Sequence, residues 1–136
     1  MGSDVRKLVW DGYPGYNVLG TDLLQDYLDL GHKFFKDAEH CPIRFISADV
    51  LSFPISTEKP TIPVISMSDV TDLTQLCGSV THVYTGAVFH LFDEATQYEF
   101  ALRLAMLSTR EKGAVIFGRH QGLAEAGMIP DPRTGK

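Results

Sequence analysis

Residues 16–22, YNVLGTD, form a short apolar run that closes on a carboxylate and passes at once into a helix-forming stretch. No other feature constrains the chain as much. In nucleotide-binding α/β folds, an acidic residue at the carboxyl end of the second strand grips a ribose through its hydroxyls, and Asp22 occupies such a place. A first strand and a glycine-rich turn belong ahead of it, because a phosphate or sulfonium group needs a backbone approach that glycine permits. About fifteen residues come first, and their glycines, Gly2, Gly12 and Gly15, form no GxGxG. The chain therefore reads as a cofactor-binding domain without its front end.

The rest of the sequence alternates between the two periodicities. Residues 4–10, DVRKLVW, suit a short helix that the GYPG turn at 12–15 breaks. A strand over 16–20 is followed by a helix over 23–36. In that helix Leu24, Leu28 or Tyr27, Gly31, and Phe34 or Phe35 fall near one face. A second strand over 43–47 runs into Ala48, Asp49 and Val50, which puts another carboxylate at a strand end. Pro54, Pro60 and Pro63 forbid a long helix across 51–64, leaving a loop with room for one short strand. Ser68 or Asp69 is suited to cap a short helix over 70–76 that Gly78 ends. Residues 80–88, VTHVYTGAV, read as a buried strand and its exit. Asp93 caps a helix over 95–108 whose spacing favours Ala95, Tyr98, Leu102 and Ala105 as its inner face. The apolar run 114–118 reads as a strand covered on both faces, and 119–136 as an irregular tail marked by Gly127, Pro130, Pro132 and Gly135. Four strands alternating with helices predict an α/β fold with a parallel sheet and helices on both faces, in one domain of 136 residues.

Composition removes several function classes. Seventeen acidic against twelve basic residues give a formal charge of −5, which lacks the positive field that a nucleic-acid backbone demands. No apolar window reaches the roughly 20 residues that cross a bilayer, so no membrane role is expected. Two cysteines, Cys41 and Cys77, and a charged start without a leader pattern predict a reducing, cytoplasmic setting. Neither cysteine has CxxC spacing or a histidine pattern, so no metal site is expected.

VLGTDLLQDYLDLGHKFFKD, FISADVLSF, THVYTGAVFHLFDEATQYEFALRLAMLS and KGAVIFGRHQG resemble successive segments of class I S-adenosylmethionine-dependent methyltransferases. The group they resemble most is the fungal methyltransferases of meroterpenoid biosynthesis, and the resemblance covers nearly all of residues 4–132. It implies a Rossmann-like sheet, S-adenosylmethionine as cofactor and a terpenoid or polyketide substrate methylated on oxygen. It implies that Asp22, with Leu23 beside it, contacts the cofactor ribose. Ala48, Asp49 and Val50 would line the adenine, and Thr85 to His90 would form the wall beside the transferring methyl group. In that family the first strand lies in mid-sheet, between the second and the fourth. Its absence here, together with a stop before the last strands, leaves two strand pairs flanking a gap. Three closures are open: direct pairing across the gap, a second copy in a homodimer, or a partner chain. Without the glycine turn, cofactor binding is expected to be impaired or absent.

Each singled-out residue also has a duller reading. Asp22 can simply cap the helix that follows, and Asp49 can end a strand in a turn. His90 and Asp93, three apart after a strand, resemble an acid/base pair, whereas Asp93 as a helix cap makes them unrelated. His120 stands at a strand end where open sheets bind ligands, or in an exposed tail. Tyr84 is a packing residue or borders an apolar pocket. Three function classes follow. The first is an O-methyltransferase, and the second a repurposed isomerase or cyclase that moves protons with His90, Asp93, Tyr84 or His120 and needs no cofactor. The third is a non-catalytic partner or truncated product.

Overall fold

The computed structural model describes residues 2–56, 66–125 and 127. Its elements are α1 (Ser3–Trp10), β1 (Leu19–Asp22), α2 (Gln25–Phe35), β2 (Arg44–Ser47), β3 (His82–Gly86), α3 (Glu94–Leu107) and β4 (Val115–Arg119). The strands form two separate parallel pairs. Leu19 to Asp22 face Arg44 to Ser47 in one, and His82 to Gly86 face Val115 to Arg119 in the other. Direct pairing of β1 with β3, one of the three expected closures, does not occur among the described residues.

Local chemistry explains where the elements depart from expectation. The first strand starts at Leu19 rather than at residue 16, because Gly15–Asn17 wind into a 3-10 turn started by Pro14, whose carbonyl accepts the Asn17 N–H at 3.0 Å. It therefore extends as far as Asp22. No α-helix forms over 70–76; only Leu73–Leu76 of that stretch is helical, as a 3-10 turn. Two 3-10 turns stand there, Met67–Asp69 capped by Ser66 and Leu73–Leu76 capped by Asp72. Asp72 and Gln75 make a reciprocal capping box, so the caps are Ser66 and Asp72, not Ser68 and Asp69. Pro60, Pro63 and Val64 of the middle loop, and Pro130, Pro132 and Gly135 of the tail, lie outside the described residues. The expected tail loses Arg119 to β4, while residues 120–125 carry no helix or strand.

The helices turn their faces differently from the expected ones. In α2 the buried residues are Leu28 and Gly31, while Leu24, Tyr27, Phe34 and Phe35 stay exposed. In α3 the inner face is Phe100, Arg103, Leu104 and Leu107; Ala95, Tyr98 and Ala105 face outward and Leu102 is half-buried. The intervening arginine hid this stripe, because its aliphatic stem packs inward while its head finds hydrogen bonds. Arg103 Nε donates to the Phe53 carbonyl at 2.9 Å, and its Nη1 reaches both the carbonyl and the carboxylate of Glu99 at 3.1 Å. β4 is not covered on both faces: all five of its residues are exposed.

Two apolar clusters hold the chain together. Ile46, Phe53, Val70, Leu73, Leu76 and Leu107 form the larger, which joins β2 to the 3-10 turns and the end of α3. Val83, Phe100 and Leu104 form the smaller, between β3 and α3. Val50 and Val80 pack against both. A third tie is polar. Arg6 of α1 donates through Nε to Asp37 at 2.6 Å and stacks over the rings of Phe35 and Phe45 at 4.7 and 4.6 Å. Asp4, on the same helix, accepts from the Tyr84 hydroxyl of β3 at 2.9 Å and pairs with Arg119 of β4 at 3.7 Å. α1 thus bridges the two strand pairs.

Candidate functional site

The carboxyl ends of the strands gather most of the residues that the sequence singles out. Asp22 is the last residue of β1, and its backbone carbonyl accepts the Ala48 N–H at 3.0 Å, so the loops after β1 and β2 leave the sheet together. The Ser47 hydroxyl donates to the Leu23 carbonyl at 3.0 Å and fixes that junction. Asp22 does not cap α2. The helix begins after Leu24 without a side-chain cap, and Asp22 Oδ1 instead accepts the Leu24 N–H at 3.1 Å in a tight local turn. Asp49 does the same after β2, accepting the Leu51 N–H at 2.8 Å through Oδ1. In both residues Oδ2 has no partner among the described residues. Two carboxylates, each oriented by one oxygen and open on the other, therefore stand at one edge of the sheet.

The second strand pair brings its own end to this edge. Val50 and Leu51, after β2, pack on the same Val83–Phe100–Leu104 cluster as Val88, Phe89 and Phe92, after β3. Thr85 lies opposite Gly118, where a Cβ would stand 2.1 Å from the Thr85 carbonyl oxygen, so only glycine fits. Just beyond, Ala87 adopts φ 58°, a left-handed backbone unusual for a residue with a Cβ, and its N–H is held by the Arg119 carbonyl at 2.7 Å. This strained turn aims the chain from Val88 to Leu91 back across the strand ends.

His90 and His120 share a cleft of about 140 Å³, lined also by Phe92, Gln97 and Leu123. His90 Nδ1 is buried there without a hydrogen-bond partner, and the His120 ring lies 6.1 Å from that of Phe89. Asp93 is not joined to His90. Its Oδ1 accepts the Thr96 N–H at 2.8 Å as the cap of α3, which holds its carboxyl below the usual carboxylate range. Tyr84 is also used elsewhere, tethering α1 through Asp4; its hydroxyl beside Arg119 keeps that guanidinium more firmly protonated. Of the four candidate acid/base groups, the fold brings together two, His90 and His120.

A larger hollow, of about 550 Å³, lies at the opposite edge against the end of α2, lined by His32, Lys33, Lys36 and His40 among others. Beside it is a group that sequence spacing did not disclose. A ring nitrogen of His32, an Asp37 oxygen and Cys41 Sγ lie within 4.8 Å of one another. Arg6 occupies the carboxylate: besides the Nε contact, Nη2 reaches Asp37 Oδ1 at 3.2 Å and His32 Nδ1 at 3.3 Å. The Arg6 guanidinium holds the Asp37 carboxyl far below the usual carboxylate range, while burial pushes the Cys41 thiol up. Burial also raises the Cys77 thiol. The group is a structural clamp between α1 and α2, and neither thiol has a nucleophile's surroundings.

The chain is 30% identical over 132 residues to O-methyltransferase phiE of Fungal sp. (strain ATCC 74256), which takes in 97% of the chain and 39% of that protein. It is 34% identical over 118 residues to methyltransferase adrK of Penicillium roqueforti, 87% of the chain and 37% of the relative. With O-methyltransferase atr3 of Stereocaulon alpinum it shares 31% over 134 residues, 97% and 34% of the two proteins. The chain is a homologue of fungal methyltransferases. It spans well under half the length of these relatives. No family model and no solved structure matches it. Two small parallel sheets with connecting helices are compatible with part of a methyltransferase fold. Among the described residues no helix is long and apolar enough to cross a membrane. Asp22 and Asp49 each keep one oxygen that suits a hydroxyl or amino donor, and Ala48 and Val50, on either side of Asp49, are half-buried.

Proposed function

We propose that this chain supplies the nucleoside-facing part of an S-adenosylmethionine-dependent O-methyltransferase of fungal terpenoid or meroterpenoid metabolism, on a Rossmann-like sheet. The observation that carries this reading is the pair of pre-oriented carboxylates, Asp22 and Asp49, at one strand edge in a homologue of enzymes named O-methyltransferases. When bound, S-adenosylmethionine supplies the methyl group carried on its sulfonium. Asp22 Oδ2 would accept from the ribose hydroxyls, Asp49 from the adenine side, and Leu23, Ala48 and Val50 would flank the base. Thr85 and the turn after it border the transfer region. Catalysis of this type needs mainly alignment of donor and acceptor.

A strand from a second copy or a partner chain, placed between β1 and β3, would complete the sheet. Calorimetric titration with S-adenosylmethionine tests the reading: submillimolar binding that Asp22→Asn weakens by about tenfold supports it, since a hydrogen bond to a charged acceptor contributes roughly 1.5–3 kcal/mol. No heat at millimolar cofactor counts against it.

The shared cleft of His90 and His120 favours a second reading, an isomerase or cyclase acting on a terpenoid or polyketide without cofactor. His90 Nδ1, buried and unpartnered, is the proton acceptor in that case. Conversion of a pathway intermediate to a product of unchanged mass, lost in His90→Ala, would select this reading over methyl transfer.

A further inference from the structure

Helix α2 carries a second apolar stripe that no part of the described chain covers. Tyr27, Leu30 and Phe34 are spaced by three and four residues and are 48, 47 and 67% exposed. The inner face, Leu28 and Gly31, lies about a third of a turn away and is already packed against the strands. An outer stripe at alternating three- and four-residue steps is the pattern by which one helix seats its side chains between those of another.

The flanking charges identify the other helix. Asp26 and Lys33 border the stripe on the same side, seven residues apart, and neither side chain has an ion-pair partner among the described residues. In an antiparallel pair of identical helices, positions of this kind face each other, so Asp26 of each copy meets Lys33 of the other, twice by symmetry. The layers then set Tyr27 of each copy against Leu30 of the other, with Phe34 at each end. A parallel pair leaves both charges unmatched. We propose that a second copy of this chain docks on α2, the helices antiparallel along Tyr27, Leu30 and Phe34. This surface is separate from the strand edges and does not depend on the methyl-transfer reading. With three apolar residues from each helix of 11 residues, the contact is small and the association weak.

Sedimentation equilibrium of the full chain at low salt, over roughly 2 to 200 µM, reads the association directly. The expected mass rises from 15.1 kDa toward twice that value. Leu30→Glu, at an exposed position, is expected to stay monomeric across the range with unchanged circular dichroism. Lys33→Asp weakens association at least fivefold, and Asp26→Lys combined with Lys33→Asp restores it, an outcome that a merely misfolded variant would not give. A wild-type chain that remains monomeric at the top concentration overturns the proposal, as does a dimer that Leu30→Glu leaves intact or a charge reversal that fails to restore pairing.

Discussion

The two strand pairs are built on opposite plans. β1 and β2 carry their functional groups in the loops that leave them, Asp22 and Asp49, each held by a backbone N–H two residues on. On the other side of the sheet edge from these loops, the Arg6–Asp37–His32 clamp locks the neighbouring helix end. β3 and β4 lie next to the well-packed α3, yet β4 is exposed along its whole length and its link to α1 is a surface contact through Asp4. In the first pair the polar groups are ordered and the covering helix offers spare apolar surface. In the second the polar groups are scattered and the strand itself is spare. Order at the candidate site therefore depends on local turns and one ion-pair clamp rather than on a continuous sheet.

Substitution should separate the packed side of the second pair from its exposed strand most strongly. Leu104→Ala, beneath β3, is expected to cost about 2–4 kcal/mol by urea denaturation, because its cavity lies in the small cluster with Val83 and Phe100. Phe117→Ser on β4 should change stability by less than about 0.5 kcal/mol and improve solubility, since the ring is half in water already. Equal losses in the two variants would show that β4 is covered after all.

The clamp comes next. Asp37→Asn should cost about 2 kcal/mol, as a partly buried charge-assisted pair is broken. Its carboxyl is depressed in the folded state, so the stabilisation is complete above the ordinary value of 3.8 and drains away as pH falls below it. Thermal melts from pH 6 downward check this: wild type and Asp37→Asn should converge with acid, and a constant gap would contradict the assigned pair.

Tyr84→Phe removes the bridge from β3 to α1 and should cost no more than about 1 kcal/mol, its hydrogen bond being solvent-exposed. The smallest effect is a gain. Ala87→Gly should stabilise by a few tenths up to about 1 kcal/mol by relieving the left-handed backbone after β3. A loss there in differential scanning calorimetry would mean that the turn is not strained.

What the sequence disclosed follows the same division. Asp22, Asp49 and the Asp93 cap were legible because an acidic residue at a strand end or helix start is a local signal. The four strands and three main helices were legible from periodicity. The inner face of α3 was not, since Arg103 interrupts Phe100, Leu104 and Leu107 and looks like a solvent-facing charge until its stem is seen to pack. Two plausible cap residues stand near each 3-10 turn, and the choice of Ser66 and Asp72 depends on hydrogen bonds rather than composition. Apolar content alone made β4 read as buried, yet burial is a property of what covers a strand. The clamp of Arg6 with Asp37 spans 31 residues, and no pattern within either segment announces it. At the candidate site, sequence proposed four acid/base groups, and the fold employs Asp93 and Tyr84 in structural bonds and leaves His90 and His120 in one cleft.

In the proposed function the loops after β1 and β2 form a nucleoside-binding edge. Titration of the isotope-labelled chain with S-adenosylhomocysteine, followed residue by residue in nuclear magnetic resonance spectra, tests it most directly. Concentration-dependent shifts are expected at Asp22, Leu23, Leu24 and at Ala48 through Leu51, reduced in Asp22→Asn. Shifts confined to the hollow around His32 and His40, or none at millimolar ligand, would contradict it.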